Sequence, residues 1–382
     1  MNFEKTLEIV KHKVDTLMER IDPCMEKSEG GYIINKRYSQ PERFEDFYTP
    51  MHWTHSFLTG MVALMYYHFK EEKYLNYLIA QKEKYKKYAK GDGFMVAHDA
   101  GFLYSLYAVA LYKLTGDEEA REIALTAADQ LGKRFRFRAG VMEAFGNVYE
   151  ENYNNGKVLI IVDDMMNMPL LMWAYRETGH TFYKQVYELH IENALKYLVR
   201  NDYSLCHAYH IDDTTGRPIS EMNYCGYGIG SHWARGTAWV IYGLAKAVQC
   251  VDDGSRYKYL LEGIVQKYIN ELGENPIPEW DFRLPVYEEK FPDTSAAAVA
   301  GSIFNDFSRL GIDVNIEKKA MELSDSIFAL LSGKNYFLDD DSEAIIDKSQ
   351  CGKNCVGSLW GDYFYTELLM KKLHSDLPDF WI

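Results

Sequence analysis

Apolar and polar positions follow a long-period pattern, in which a nearly all-apolar segment is followed by an amphipathic, charged one. Both kinds of segment show the three-to-four-residue periodicity of helices. The pattern occurs five times and predicts five helical hairpins, at residues 61–85, 106–131, 169–198, 238–269 and 296–331. Because the first helix of each pair is apolar on most sides, we expect it to be the inner helix and its partner the outer one.

A ring of these hairpins is the predicted fold. The amphipathic segment 1–21 and the final apolar helix, 358–374, would supply a sixth hairpin that closes the ring. We therefore predict an all-α protein, an (α/α)6 barrel or six-hairpin toroid, with residues 1–382 in a single domain. An open superhelix of hairpins is the alternative, but it would leave the apolar inner helices in contact with water.

Long segments separate the outer helices from the inner helices that follow them. Prominent among them are residues 89–101, 138–157 and 204–236. Long irregular loops in a compact domain are usually functional, and the connectivity puts these loops at one end of the ring. Within the third segment, residues 205–219 predict a short β-hairpin with its turn at DDTTGR. We expect these segments to form the mouth of a binding site.

Two aspartates stand at the starts of inner helical runs. Asp99 begins the run in HDAGF, and Asp163, with Asp164 beside it, begins the run in VDDMMN. One hairpin separates them, so both carboxylates are expected on the same rim, where they could perform acid–base chemistry on a bound sugar. Partial burial there would raise the pKa of one carboxyl. The alternative is that these residues cap their helices in contact with solvent.

Further candidates for ligand contacts lie in SHWARGTAW and in the loop before it. Trp233 and Trp239 offer flat ring faces, and Arg235 offers a fork for a carboxylate. His207 lies in a loop bound for the same rim. The alternative is that the tryptophans belong to the core and that Arg235 bonds carbonyl groups at a helix end.

The segment around the final helix supplies weaker candidates. Ser349 and Lys353 lie in a polar stretch, DKSQCGKNC, that could contact a sulfate or a second sugar, although a solvated loop is the preferred interpretation. In the helix that follows, we expect Trp360 and Tyr363 in the core and Asp362 as a helix cap.

Composition narrows the range of partners. The 382 residues carry a net charge of −14 without a long basic run, which argues against nucleic acid. There is no apolar leader and no 18-residue apolar stretch, so we expect a cytoplasmic protein without a membrane segment. The six cysteines are mostly scattered, which predicts reduced thiols and no metal site. We see no phosphate-binding loop and expect no cofactor.

Several motifs, taken in order, resemble the unsaturated glucuronyl hydrolase family, whose members act on oligosaccharides left by polysaccharide lyases. These motifs are WTHSFLTGM, HDAGF, VD-x-MMN-x-PLL, HAYHID, SHWARGTAWVIYG, DTSAAA and SLWGDYF. The resemblance covers most of the chain and implies an (α/α)6 barrel. It also implies an anionic substrate that ends in a 4-deoxy-4,5-unsaturated uronic acid. The family hydrates the enol-ether double bond rather than attacking the glycosidic carbon.

The resemblance implies roles for individual residues. Asp163 matches the general acid/base, which protonates C4 and activates the water that adds at C5. Asp99 matches the residue that bonds sugar hydroxyls, whereas Asp164 stands where relatives commonly have a nonacidic residue. The other positions that match residues of the family's site are His207, Arg235, Trp239 and Trp53.

Two candidate substrate-binding positions depart from the family pattern. Cys225 stands where the family often has Gln, and Phe145 stands where Trp is expected. A thiol cannot reproduce the two-way hydrogen bonding of an amide, so we expect substrate choice to differ more than reaction type.

The resulting prediction is a hydrolase for unsaturated disaccharides of glycosaminoglycan type, acting as a monomer or weak homo-oligomer. Three alternatives remain. The first is an unsaturated rhamnogalacturonyl hydrolase acting on pectin fragments. The second is an inverting glycosidase acting on saturated sugars. The third is a noncatalytic helical toroid that binds carbohydrate.

Overall fold

The computed structural model describes residues 3–20, 53–90, 98–148, 150, 154–251, 253–351 and 354–382. In chain order, the helices are α1 (Phe3–Arg20), α2 (His55–Phe69), α3 (Glu72–Ala80), α4 (Lys82–Ala89), α5 (Ala100–Tyr104), α6 (Ala110–Thr115), α7 (Glu118–Gly132), α8 (Asp164–Asn167), α9 (Pro169–Thr178), α10 (Thr181–Leu198), α11 (Ala234–Cys250), α12 (Lys258–Leu272), α13 (Thr294–Phe304), α14 (Val314–Leu331) and α15 (Leu359–Leu373). A π-helical turn (Ser105–Val109) joins α5 to α6.

Burial separates the helices into two layers. Every residue of α13 is buried, as expected for a helix surrounded by others. Its partner α14 buries a stripe, at Ala320, Ser324, Ile327, Phe328 and Leu331, and is amphipathic. The inner layer comprises α2, α5–α6, α8–α9, α11, α13 and α15. The predicted order of inner helix followed by outer helix is confirmed.

The ring closes through the two helices that are farthest apart in sequence. Inner helix α15 packs against both α13 and α2, and α1 packs against α2 and α15 from outside. Four core side chains of α1, spaced three or four residues apart, face inward: Leu7, Val10, Val14 and Leu17. The predicted sixth hairpin is therefore confirmed, and the described residues form an (α/α)6 barrel rather than an open superhelix.

Three small sheets correct the expectation of helix from end to end. The strands are β1 (Phe135–Arg136), β2 (Val141–Met142), β3 (Lys157–Ile161), β4 (Ala208–Asp212), β5 (Pro218–Met222), β6 (Ser349–Cys351) and β7 (Asn354–Val356). Strands β4 and β5 form the predicted hairpin, and β3 pairs antiparallel with β4. The apolar run of β3 was not distinguished from a helix, because a short apolar run has no diagnostic period.

An aromatic column fills the barrel interior. We define it as Trp53, Phe102, Trp239, Phe364 and Trp381. Trp239 contacts Phe102 and Phe364, each with ring centroids 5.3 Å apart. Trp381 comes from the segment after α15, and its ring stacks on Phe364 at 5.9 Å. The barrel is thus closed by packed rings along its axis. Within the described ranges, none of the helices has the length and apolar character needed to cross a bilayer.

Candidate active site

Asp163 lies where β3 passes into helix α8. Its side chain is 18% exposed and makes no capping hydrogen bond to the helix that it precedes. Asp99 stands in the same relation to α5, with a side chain that is 17% exposed and likewise makes no capping bond. Helix capping therefore does not account for either carboxyl.

Close backbone contacts hold α8 between two neighbouring inner helices. A Cβ at Gly101 of α5 would lie 2.2 Å from the Cα of Asn167, and one at Gly243 of α11 would lie 2.1 Å from the carbonyl oxygen of Met165. Only glycine permits this approach. The Asn167 side chain completes the join, since it accepts from the Phe102 N–H at 2.9 Å. The separation of the two acidic helix starts is therefore fixed by packed backbone.

The surroundings of Asp163 favour its protonated form. Burial raises its pKa to about 7, and the nearby carboxylates of Asp99 and Asp164 act in the same direction. His98 and Arg235 oppose the increase. A carboxyl with a pKa near neutrality can both donate and accept a proton at physiological pH.

Asp99 lies beside a buried histidine. Its Oδ1 is 3.5 Å from His98 Nε2, and burial raises the pKa of Asp99 although His98 opposes the shift. For His98, burial favours the neutral ring, but Asp99 and Asp164 outweigh it and raise the pKa to about 9. The imidazole is therefore a cation between two carboxyl groups.

Asp164 is fully buried and turned away from the rim. Its Oδ1 lies 2.5 Å from His98 Nδ1, and its Oδ2 accepts the N–H of Ile161 at 3.0 Å. The alternative of a solvent-exposed cap is wrong for this residue, because its side chain is 0% exposed and bonds back to the end of β3.

His207 is brought to Asp163 by the pairing of β3 with β4. The Val162 N–H donates to the His207 carbonyl at 3.0 Å, and His207 Nε2 lies 3.8 Å from Asp163 Oδ2. Nδ1 accepts the N–H groups of Tyr224 and Cys225, at 2.9 and 3.1 Å. Burial, reinforced by Arg235, lowers the His207 pKa to about 3, so the ring is neutral and its proton is on Nε2.

Arg235, in the first turn of α11, is almost fully buried. Its Nη1 donates to Asp293 Oδ2 at 2.8 Å, to the Gln350 carbonyl at 2.9 Å and to Ser295 Oγ at 3.3 Å. Its guanidinium lies 4.7 Å from the centre of the Trp233 ring. Within the described part of the chain, all three of these hydrogen bonds use Nη1. Nε and Nη2 can therefore still bind a ligand carboxylate.

The three candidate tryptophans occupy different depths. Trp233 is 4% exposed, packs edge-on against His207 at 4.9 Å and donates its Nε1–H to Gln350. Trp239 is 1% exposed, within the aromatic column, and supports the floor of the site. Trp53 is partly exposed and contacts Trp360 with ring centroids 5.1 Å apart. Trp53 is thus the most exposed of the three.

The two departures from the family pattern lie beside the two histidines of the site, Phe145 at His98 and Cys225 at His207. Phe145 is 43% exposed and contacts the His98 ring edge-on at 5.5 Å. Cys225 holds His207 through its backbone N–H, and its carbonyl accepts from Gln350 Nε2 at 3.3 Å. Replacement of an amide by a thiol at this position therefore leaves the orientation of His207 intact.

The segment before α15 differs from its predicted form. Ser349 is not in a solvated loop: it is fully buried in β6, with its hydroxyl 3.2 Å from that of Thr294. Lys353 lies outside the described residues. Asp362 is not a helix cap, because its carboxylate accepts the N–H groups of Ile345 and Ile346. Burial of Trp360 and Tyr363 is confirmed.

Sequence reasoning missed the residues that hold the site together. Asn167 follows Asp163 by one helical turn, a spacing that places both on one face and could have been noticed. Asp293 caps α13 through its Oδ1 while its Oδ2 binds Arg235. The partner Gln350 has no local signal, because it comes from a distant strand. In the described ranges, no group of three or more His, Cys, Asp and Glu side chains has the arrangement of a metal site.

Comparison with known proteins agrees with this geometry. The family model described as Glycosyl Hydrolase Family 88 matches residues 26–275, a range that includes Asp99, Asp163, His207 and Arg235. The chain belongs to glycosyl hydrolase family 88. Membership makes it a glycoside hydrolase, confirms the predicted family, and argues against a noncatalytic toroid.

Individual relatives in family 88 align with nearly the whole chain. The chain is 29% identical to the unsaturated chondroitin disaccharide hydrolase of Streptococcus pneumoniae, over 94% of this chain and 95% of the relative. It is 30% identical to the unsaturated glucuronyl hydrolase of Bacillus sp. (strain GL1), over 86% of this chain and 88% of the relative. A crystal structure of the enzyme from Bacillus sp. GL1 superimposes with a TM-score of 0.84 at 26% identity, covering 98% of this chain and 97% of that one.

Proposed function

We propose that this enzyme releases the 4,5-unsaturated uronic acid from the non-reducing end of lyase-derived oligosaccharides, with glycosaminoglycan disaccharides as its substrates. The observation that carries this proposal is a carboxyl whose pKa lies near neutrality, Asp163, beside a neutral histidine and a buried arginine. The names of the relatives from Streptococcus pneumoniae and Bacillus sp. support the substrate class.

The reaction is the addition of water across the C4=C5 double bond. Protonated Asp163 donates its proton to C4, and water adds at C5 while giving a proton back to the Asp163 carboxylate. The resulting hemiketal opens, the bond from C1 to the leaving sugar breaks, and that sugar departs as an alcohol. Asp163 is regenerated, so one acidic group suffices for both proton transfers.

Neighbouring residues would bind and orient the uronate. Arg235 offers Nε and Nη2 to the C5 carboxylate, and its guanidinium lies 4.7 Å and 5.4 Å from the ring centres of Trp233 and Trp360. His207 presents an Nε2–H donor to the substrate or to Asp163. Asp99 would accept hydrogen bonds from the sugar hydroxyls. The inner helices begin at this end of the barrel, and the positive ends of their dipoles favour an anionic ligand.

We further propose that the enzyme is cytoplasmic and acts as a monomer or weak homo-oligomer. What supports a reducing location is that the cysteines whose side chains the structure describes, Cys206, Cys225 and Cys250, are thiols and not disulfides.

The test follows the ultraviolet absorbance of the conjugated double bond. Unsaturated disaccharides of chondroitin, hyaluronan, heparin and pectin types would be incubated with wild type and with Asp163→Asn. We expect wild type alone to remove the absorbance, fastest with a glycosaminoglycan disaccharide. Faster turnover of the pectin type would favour a rhamnogalacturonyl hydrolase. Turnover of saturated sugars only would favour a conventional glycosidase, and either result would contradict the substrate proposed here.

A further inference from the structure

Four ionisable groups form a buried line that leads away from the rim. We call it the His–Asp chain and define it as His190, Asp164, His98 and Asp99. From the inside outward, His190 Nε2 lies 3.8 Å from Asp164 Oδ2, Asp164 Oδ1 lies 2.5 Å from His98 Nδ1, and His98 Nε2 lies 3.5 Å from Asp99 Oδ1. The first three groups are at most 1% exposed.

The inner end of the chain is neutral. His190 Nδ1 accepts the N–H of Met142 at 2.9 Å, so this nitrogen carries no proton. Burial lowers the pKa of His190 to about 4, although Asp164 opposes the shift. The proton of the neutral ring is therefore on Nε2, which lies 3.8 Å from Asp164 Oδ2, and the ring supplies no charge.

Asp164 consequently depends on His98 for a counter-charge. A fully buried carboxylate without a cation would carry a large desolvation penalty. One backbone N–H, from Ile161, offsets part of it. His98 lies closest, at 2.5 Å, and is itself shielded from water, so it is the group placed to supply that counter-charge.

We propose that Asp164 is a positioning residue: it holds the His98 ring as a cation between its own carboxylate and that of Asp99, and thereby orients the Asp99 carboxyl at the rim. This role rests on the hydrolase function proposed above. The match to family motifs assigns no role to Asp164, because relatives commonly have a nonacidic residue at this position.

The imidazolium also acts on the catalytic acid. The titratable and charged groups that face this pair from the surrounding elements are Asp99, Asp163, His190, Arg134 and Arg235. His98 lowers the pKa of Asp163 more than Asp164 raises it. Loss of both charges would therefore raise the pKa of Asp163 and keep it protonated to higher pH.

The direct test needs no substrate. ¹⁵N-histidine NMR of the wild type, with His98 assigned from the signals lost in His98→Gln, would report its protonation between pH 6 and pH 9. We expect both ring nitrogens to be protonated at pH 7.5. A neutral His98 at that pH would overturn the proposal, whatever the substrate, and would do so even if Asp164→Asn failed to fold.

A second arm uses Asp164→Asn. We expect a neutral His98 at pH 7.5, a kcat reduced roughly tenfold or more, and an alkaline limb of kcat/KM displaced to higher pH. The matched control is Asp306→Asn, which removes a buried carboxylate that binds Lys371 at 2.8 Å beyond the far end of α13. The control should reduce stability without moving the pH profile. An unchanged His98 signal and profile in Asp164→Asn would contradict the proposed role.

Discussion

At the scale of single residues, Asp163 determines how activity depends on pH. Its carboxyl must be protonated to donate to C4, and burial places its pKa at about 7. We therefore expect kcat/KM to fall as pH rises through about 7, and a pH–rate profile with an unsaturated disaccharide measures this limb. The histidine beside it cannot produce the same limb, because the His207 pKa is about 3. A profile that stays flat from pH 6 to pH 9 would contradict the assignment.

The same shift predicts a change in stability for Asp163→Asn. The carboxyl ionises near pH 4 in the unfolded chain but only near pH 7 in the folded protein, so the folded state loses stability as pH rises through this interval. The Asn variant lacks this penalty. We expect it to lose turnover and to unfold with a free energy about 1–3 kcal/mol higher than wild type at pH 8.

Urea unfolding at pH 4 and at pH 8 checks this prediction. The two proteins should come close to each other at pH 4, where the wild-type carboxyl is protonated in the folded state and only about half ionised in the unfolded chain. An Asn variant that is less stable than wild type at pH 8 would show that Asp163 is a structural residue.

The sequence predicted the residues of the site better than their partners. Asp99, Asp163 and Arg235 lie in short motifs at the starts of apolar helices, where position alone directs them to one rim. Asp164 was not separable from Asp163 by pattern, because adjacent residues share their local composition. Its burial depends on the turn between β3 and α8, where its Oδ2 accepts the N–H of Ile161, a contact that the local sequence pattern does not show.

At the scale of elements, the contact between α5 and α8 fixes the separation of the two acids. We expect Gly101→Ala to lower the free energy of unfolding by about 1–3 kcal/mol and to reduce kcat, because its methyl group would meet the backbone of Asn167. Thermal unfolding and the absorbance assay measure the two effects.

The matched control is another helical glycine. A Cβ at Gly132 would meet only the ring of Phe182, which is 43% exposed and can move. Gly132→Ala should therefore be neutral or slightly stabilising. Equal effects of the two substitutions would show that the close contact at Gly101 has no special importance.

Helices and strands could be predicted where their pattern of apolar residues repeats several times or ends in a recognisable turn. The helices of each hairpin show a repeated stripe, and the β4–β5 hairpin has a turn with Gly216 at a positive φ of 71°. Strand β3 has neither signal: its five residues end in a run of four buried apolar side chains. The start of the helix at Asp163 could thus be predicted from the sequence, but the strand that precedes it could not.

At the scale of the whole molecule, the aromatic column joins the far end of the barrel to the floor of the site. We expect Trp381→Ala to lower the free energy of unfolding by about 3–5 kcal/mol, since its ring is 1% exposed and its Nε1 donates to Glu367. Urea unfolding measures this loss. Phe137→Ala, at a ring that is 80% exposed, is the control and should change stability by less than about 0.5 kcal/mol.

Closure of the ring was predictable, but its interior was not. Because the inner helices are apolar, the barrel axis that they face must be shielded from water, which favours a closed barrel over an open superhelix. The residues that fill that axis come from segments far apart in the chain, such as Phe102 and Trp381, so local pattern gives no information about their contact.

The starts of the inner helices are packed through glycine, whereas the walls of the mouth are not part of this packing. This difference has a consequence for laboratory evolution. The acids rest on α5 and α8, whose spacing is set by backbone contact. Phe145 and Tyr224, which are 43% and 55% exposed, contact the two histidines from outside and carry none of that packing. Libraries randomised at these two positions and at Cys225 should therefore yield variants with new leaving-sugar preferences while the hydration chemistry is retained.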